Sequence, residues 1–244
     1  MFRGYPQCRD FPQGSTAAPP PTLFGAMTDL DIHGQVKPLL RGRIHLVGLV
    51  AVVPAGIVLV AGAASTAARV GAAVYAAALV ALFGASSAYH RLGRSPRSQG
   101  WLRRLDHSSI FILIAGSYTP LCLVALRGWL GGTLLTAVWI TAIVGVVLKL
   151  GWFDRCNRIG GVLYIVMGWA AVAAMPALVS SVSVTTVALL ISGGVVYTVG
   201  AVVLTTRFPN PSPRVFGYHE VWHALVVLAV VLHYAAIRSV VSSG

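Results

Sequence analysis

Long uncharged apolar runs, separated by short polar and basic stretches, set the layout of the chain from Ile44 onward. A helix needs about 20 apolar residues to cross the hydrocarbon core of a bilayer. Residues 44–68 carry no Lys, Arg, Asp or Glu and predict a first span. Residues 70–90, 107–126 and 128–148 predict three more. Residues 159–206 form an uncharged run far too long for one crossing. Pro176 and the stretch Ser180-Ser181-Val182-Ser183 divide it into a fifth and a sixth span. The seventh runs from His219 to Ile237. The runs are continuously apolar, which argues for helices and against an alternating β-barrel. The predicted fold is all-α, an integral membrane bundle of seven transmembrane helices.

Composition agrees. The chain is 57% hydrophobic and 10% charged, with a mean hydropathy of +0.80, whereas soluble domains carry about 25% charged residues. A water-soluble fold is thereby excluded. Residues 1–36 break the pattern, with no sustained apolar stretch and frequent Pro, Gly, Ser and Thr, including Pro19-Pro20-Pro21. They predict a disordered tail, without the apolar core of a signal peptide, ahead of a membrane domain at 37–244. Met27, followed by Thr-Asp-Leu-Asp, is an alternative start. Cys8, Cys122 and Cys156 form no CxxC pair, so no disulfide and no zinc–thiolate site is expected. Cys122 lies in an apolar run and reads as a packing residue.

The net charge of +12 could point to nucleic acid, but the basic residues lie between apolar runs rather than on one amphipathic face. They behave as topology signals. With the N-terminus in the cytoplasm, Arg3, Arg9, Lys37, Arg41 and Arg43 precede the first span on the inside. Arg91, Arg94, Arg97, Arg103 and Arg104 follow the second, Lys149, Arg155 and Arg158 the fourth, and Arg207 and Arg214 the sixth. Only Arg69, Arg127 and Arg238 fall outside. The inside excess of Lys and Arg predicts a cytoplasmic N-terminus and an outer C-terminus in a multi-pass cell-membrane protein.

That topology brings four residues to one depth. His90 ends the second span, Asp106 begins the third, and His219 and His223 begin the seventh. The last two are spaced i, i+4 and share a helix face, so both imidazoles can reach one metal ion. Ser86 lies one turn deeper than His90 on the same face. Three neutral imidazoles suit Zn2+ and leave a fourth position for water, whose pKa the metal lowers. Asp106 could act on that water as general base and Ser86 could add a hydrogen bond. Each residue also has a plainer reading. A lone His is common at a membrane interface, and an acid suits a helix N-terminus. Their convergence from three helices favours the metal.

Three motifs sharpen this. They are Ser86-Ser-Ala-Tyr-His90, then Leu105-Asp106-His107-Ser-Ser-Ile-Phe with Ile114-Ala-Gly-Ser-Tyr-Thr-Pro120, and Val215-Phe-Gly-Tyr-His219-Glu-Val-Trp-His223. From Lys37 to the C-terminus the chain resembles the hemolysin III family, within the progestin and adipoQ receptor superfamily of seven-helix proteins. The resemblance implies zinc on His90, His219 and His223, with Asp106 and Ser86 beside the bound water. One departure stands out. Many members carry a Glu and an Asn before a His at the first span, whereas here Lys37-Pro-Leu-Leu-Arg41-Gly-Arg-Ile-His45 keeps only the His. His45 is read as a support on the first helix, not as a ligand.

The remaining features read structurally. His107 points about 100° from Asp106 on a helix, His233 lies toward the opposite face, and His33 is in the tail. Gly131-Gly132, Gly160-Gly161 and Gly193-Gly194 suggest close helix packing. Trp101, Trp129, Trp152 and Trp222 read as interface anchors, and the arginines after the second span have a secondary reading as anionic-lipid contacts. Three functions stay open. One is zinc-dependent hydrolysis of a lipid amide or ester, with membrane lipids as partners. The second is a non-enzymatic lipid sensor or receptor-like regulator with structural zinc. The third is the cytolytic, pore-forming activity in the family's name, for which no polar stripe runs through the spans.

Overall fold

The computed structural model describes residues 38–126, 128–153, 155 and 157–243. The expected tail at 1–36, the alternative start at Met27, and Cys8 and Cys156 lie outside the described residues. Among the described residues, seven helices are long and apolar enough to cross a membrane. They are α1 (Arg43–Ala61), α2 (Thr66–Leu92), α3 (Pro96–Ala125), α4 (Trp129–Gly151), α5 (Ile159–Ser181), α6 (Val184–Thr206) and α7 (Tyr218–Ser243). The protein is thus an all-α, multi-pass membrane protein.

Two helix starts differ from the hydropathy reading. α2 begins at Thr66, where the Ser65 side chain accepts from Ala68 N, so Arg69 lies in the helix rather than in the loop. α3 begins at Pro96 behind a capping box between Ser95 and Ser98. Proline at the first helical position and a serine cap satisfy the amides that a helix start leaves unpaired. Asp106 is therefore nearly three turns inside α3, and an N-terminal capping role for it is excluded. Arg97, Arg103 and Arg104 ride on the early turns of α3. Two of them have partners on the neighbouring helix end. Arg104 donates to the Leu150 carbonyl at 2.6 Å, and the Arg103 guanidinium stacks 4.5 Å from the Phe153 ring centre. Cations suit the free carbonyls at a helix C-terminus such as that of α4.

α5 changes pitch at Ala170–Ala174, a short 3-10 segment. Tyr118 of α3 braces this break, its hydroxyl donating to Met167 O and accepting from Ala171 N, both at 2.8 Å. Pro176 sits in the turn that resumes the helix, and the chain reverses at Val182 before the Ser183 cap of α6.

α3 is the most enclosed helix and joins the two parts of the core. Leu113 and Leu121 pack with Leu59, Leu79, Phe83, Val230 and Ile237 from α1, α2 and α7. Phe111, Ala115 and Tyr118 pack with Val138, Ala142, Met167 and Leu178 from α4 and α5. Small residues set the α2–α3 spacing. A Cβ on Gly71 would come within 2.7 Å of Pro120 Cα, and one on Gly116 within 2.6 Å of Ala78 Cβ. In each glycine pair the first member is the packed one: Gly131 abuts the Leu126 carbonyl, Gly160 the Lys149 side chain and Gly193 the His233 ring, whereas Gly132, Gly161 and Gly194 face open space. Cys122 is free and buried, as expected of a packing residue. Trp101, Trp129 and Trp152 are exposed near helix ends. Trp222 instead packs inward against Gly200 of α6, so it is a core contact rather than an interface anchor.

Candidate metal centre

Neighbouring helices in the bundle bring the C-terminal end of α2 beside the start of α7. His90 lies in the last turn of α2, and His219 and His223 in the first two turns of α7. His90 Nε2 lies 3.2 Å from His219 Nε2 and 3.2 Å from His223 Nε2. Among the described residues these three side chains form a group whose ligand nitrogens all lie within 4.8 Å of one another. His90 and His223 are buried and His219 is half-buried.

This spacing fits a metal better than it fits hydrogen bonds. One imidazole Nε2 has a single in-plane site, to donate or to accept, so His90 Nε2 cannot bond well to two other ring nitrogens at once. Ligand nitrogens at 2.0–2.1 Å around a tetrahedral ion are about 3.3 Å apart, the edge of the tetrahedron. The two 3.2 Å separations match that edge. The donor set is all imidazole, without thiolate.

Ser86, one turn before His90 on α2, and Asp106 on α3 are not members of this group. Ser86 Oγ is buried on α2 without a hydrogen-bond partner. It faces the Asp106 carboxylate of α3 and stops short of hydrogen-bond geometry with it. Asp106 Oδ2 is 3.8 Å from His107 Nδ1. His107 stays out of the three-histidine group. Its Nδ1 donates to Arg103 O at 2.9 Å and its ring packs on Phe153. His233 lies far along α7, with Nε2 donating to Leu190 O at 3.2 Å.

Two features of the site escaped the sequence. The first is Glu220, completely buried between the two histidines of the H-x-x-x-H pair. Its Oε1 accepts from Arg41 Nε at 2.5 Å, and its Oε2 accepts from Gly217 N at 2.9 Å. The second is the segment before α1, which lies across this end of the bundle. Leu39 N and Leu40 N donate to Arg214 O and Val215 O, and Gly42, at φ 76°, packs so closely that a Cβ would meet His90 Cβ at 2.7 Å. The sequence holds one signal for the second, the Arg41–Gly42 pair four and three residues before His45.

Residues 33–234 match the family described as Haemolysin-III related. The chain belongs to the hemolysin III family. It is 34% identical over 187 residues to Hemolysin-3 of Bacillus cereus, covering 75% of this chain and 82% of that protein. It is 31% identical over 186 residues to the Hemolysin-3 homolog of Bacillus subtilis, covering 75% and 84%. The human monocyte to macrophage differentiation factor is 26% identical over 178 residues, 69% of each chain. The matched region of this hemolysin III family member contains all three motifs and the whole histidine group.

Proposed function

We propose that this hemolysin III family protein holds Zn2+ on His90, His219 and His223 and hydrolyses an amide or ester bond of a membrane lipid. The observation that carries the metal is the pair of 3.2 Å separations between His90 Nε2 and the Nε2 atoms of His219 and His223. Imidazole sets also suit Cu, Fe and Ni; three imidazoles at tetrahedral spacing favour zinc. A zinc ion with one open position supplies a water of lowered pKa.

The rest of the chemistry belongs to the chain. In this reading the Asp106 carboxylate, on α3, would take the proton of the attacking water and return it to the leaving group. The Ser86 hydroxyl, buried on α2 near the Asp106 carboxylate, would donate to the oxygen that gains charge at the scissile carbonyl. The reacting bond then lies at headgroup depth near the ends of α2 and α7, with acyl chains running along the apolar helices. The inside excess of basic residues supports a cytoplasm-facing site in the cell membrane, with the C-terminus outside.

A second reading, a non-enzymatic lipid sensor or regulator with structural zinc, is favoured by the depth of His90 and His223, which are 6% and 4% exposed. The cytolytic reading rests on the names of relatives alone. The deciding experiment is metal analysis of the purified protein together with hydrolysis of lipid amides and esters in vesicles, comparing wild type with Asp106→Asn. Stoichiometric zinc in both, with hydrolysis only in wild type, supports the hydrolase. Zinc in both with equal function in cells supports the structural reading. No zinc in wild type overturns both.

A further inference from the structure

We infer that His45 is a positioning residue of the metal centre, holding His223 in the tautomer and ring orientation that aim Nε2 at the ion. This rests on the zinc reading above and assigns a role to a helix that contributes no ligand.

The geometry is specific. His45 Nε2 is 2.8 Å from His223 Nδ1, and the two rings meet edge to face with centroids 3.8 Å apart. His45 is buried, and its ring also stands edge-on to Phe83. For His223 to offer its Nε2 lone pair to a cation, its proton must sit on Nδ1. That N–H needs an acceptor, and His45 Nε2 is in place to be one. His45 must then carry its own proton on Nδ1, a buried nitrogen with no protein partner.

The contact is also anchored from outside. The His45 helix and the His223 helix are tied at their starts by Arg41 and Glu220 and by the backbone bonds from Leu39 and Leu40. Gly42 packs directly on His90. One short stretch, Leu39 to His45, thus touches both ligand-bearing helices. Outer partners of metal-bound histidines fix tautomer and direction, and their loss costs about 10–100-fold in metal affinity.

The test compares zinc affinity, by competition with a chromogenic chelator, in wild type, His45→Phe and His45→Gln, all as full chains in detergent micelles. His45→Phe keeps a buried ring against Phe83 but removes the acceptor. It should weaken zinc binding about 10–100-fold while the thermal stability of the metal-free protein stays near that of wild type. His45→Gln restores an acceptor oxygen and should recover much of the loss. With cobalt in place of zinc, the visible absorption bands should shift in His45→Phe and return toward wild type in His45→Gln. Wild-type affinity in His45→Phe overturns the role of His45 alone. Equal loss in both variants, with equally lowered metal-free stability, makes His45 a packing residue and also overturns it. A wild-type chain that binds no zinc overturns the metal centre itself, and this role with it.

Discussion

Arg41 and Glu220, 179 positions apart in sequence, form an ion pair at 2.5 Å in which the Glu220 side chain is completely buried and the Arg41 side chain is 24% exposed. The pair joins the segment before α1 to the first turn of α7. Because Glu220 stands between His219 and His223, whatever holds it also sets the register of two members of the histidine group.

Removing one partner of a buried pair leaves a charge without compensation, at a cost of about 3–5 kcal/mol. Arg41→Met should therefore lower stability by about 3 kcal/mol, near the low end because the arginine is partly solvated. Thermal unfolding in detergent reads this directly. The double variant Arg41→Met, Glu220→Gln removes both charges and should be more stable than Arg41→Met alone. A double variant no better than the single one would mean that the pair does not act as a unit.

Zinc should stabilise the wild-type protein by mass action, about 2.7 kcal/mol at a hundredfold excess over the dissociation constant. His90→Ala, His219→Ala and His223→Ala should each lose most bound zinc and most of this thermal shift, because two imidazoles hold the ion poorly. His107→Ala and His233→Ala should keep the shift, since neither ring belongs to the group. Loss of the shift in His233→Ala alone would place the metal elsewhere.

Gly71 and Gly194 make a clean pair for testing helix packing. A methyl on Gly71 runs into the Pro120 backbone of α3, which can move only by separating two core helices. Gly71→Ala should destabilise by about 1–3 kcal/mol. Gly194 faces open space in α6, and Gly194→Ala should be neutral or gain up to about 1 kcal/mol from helix propensity. Thermal unfolding of both variants beside wild type checks the contrast.

The proposed orientation rests on the basic residues. A reporter fused after Arg238 should read as external, and one inserted in the turn at Gly93–Ser95 between α2 and α3 should read as cytoplasmic. A cytoplasmic C-terminal reporter would reverse the proposed side of the site.

The sequence by itself determined the number of candidate spans and the three-histidine group. Spanning a bilayer is a local requirement, so a run of about 20 uncharged apolar residues carries the information whole. The i, i+4 spacing of His219 and His223 is equally local, since a helix alone puts both rings on one face. His90 joined them because it too sits at a helix end. What the sequence misplaced were the starts of α2 and, by more, of α3. Hydropathy marks where the chain is apolar, not where it is helical, and the charged turns from Pro96 are stabilised by a cap and by contacts with Leu150 and Phe153. Only the tertiary structure decided that Glu220 is buried against Arg41 and that His45 meets His223. The contacts link α1 and the segment before it to α7. They form only when the bundle closes, because no local preference of either segment favours a partner nearly 180 residues away.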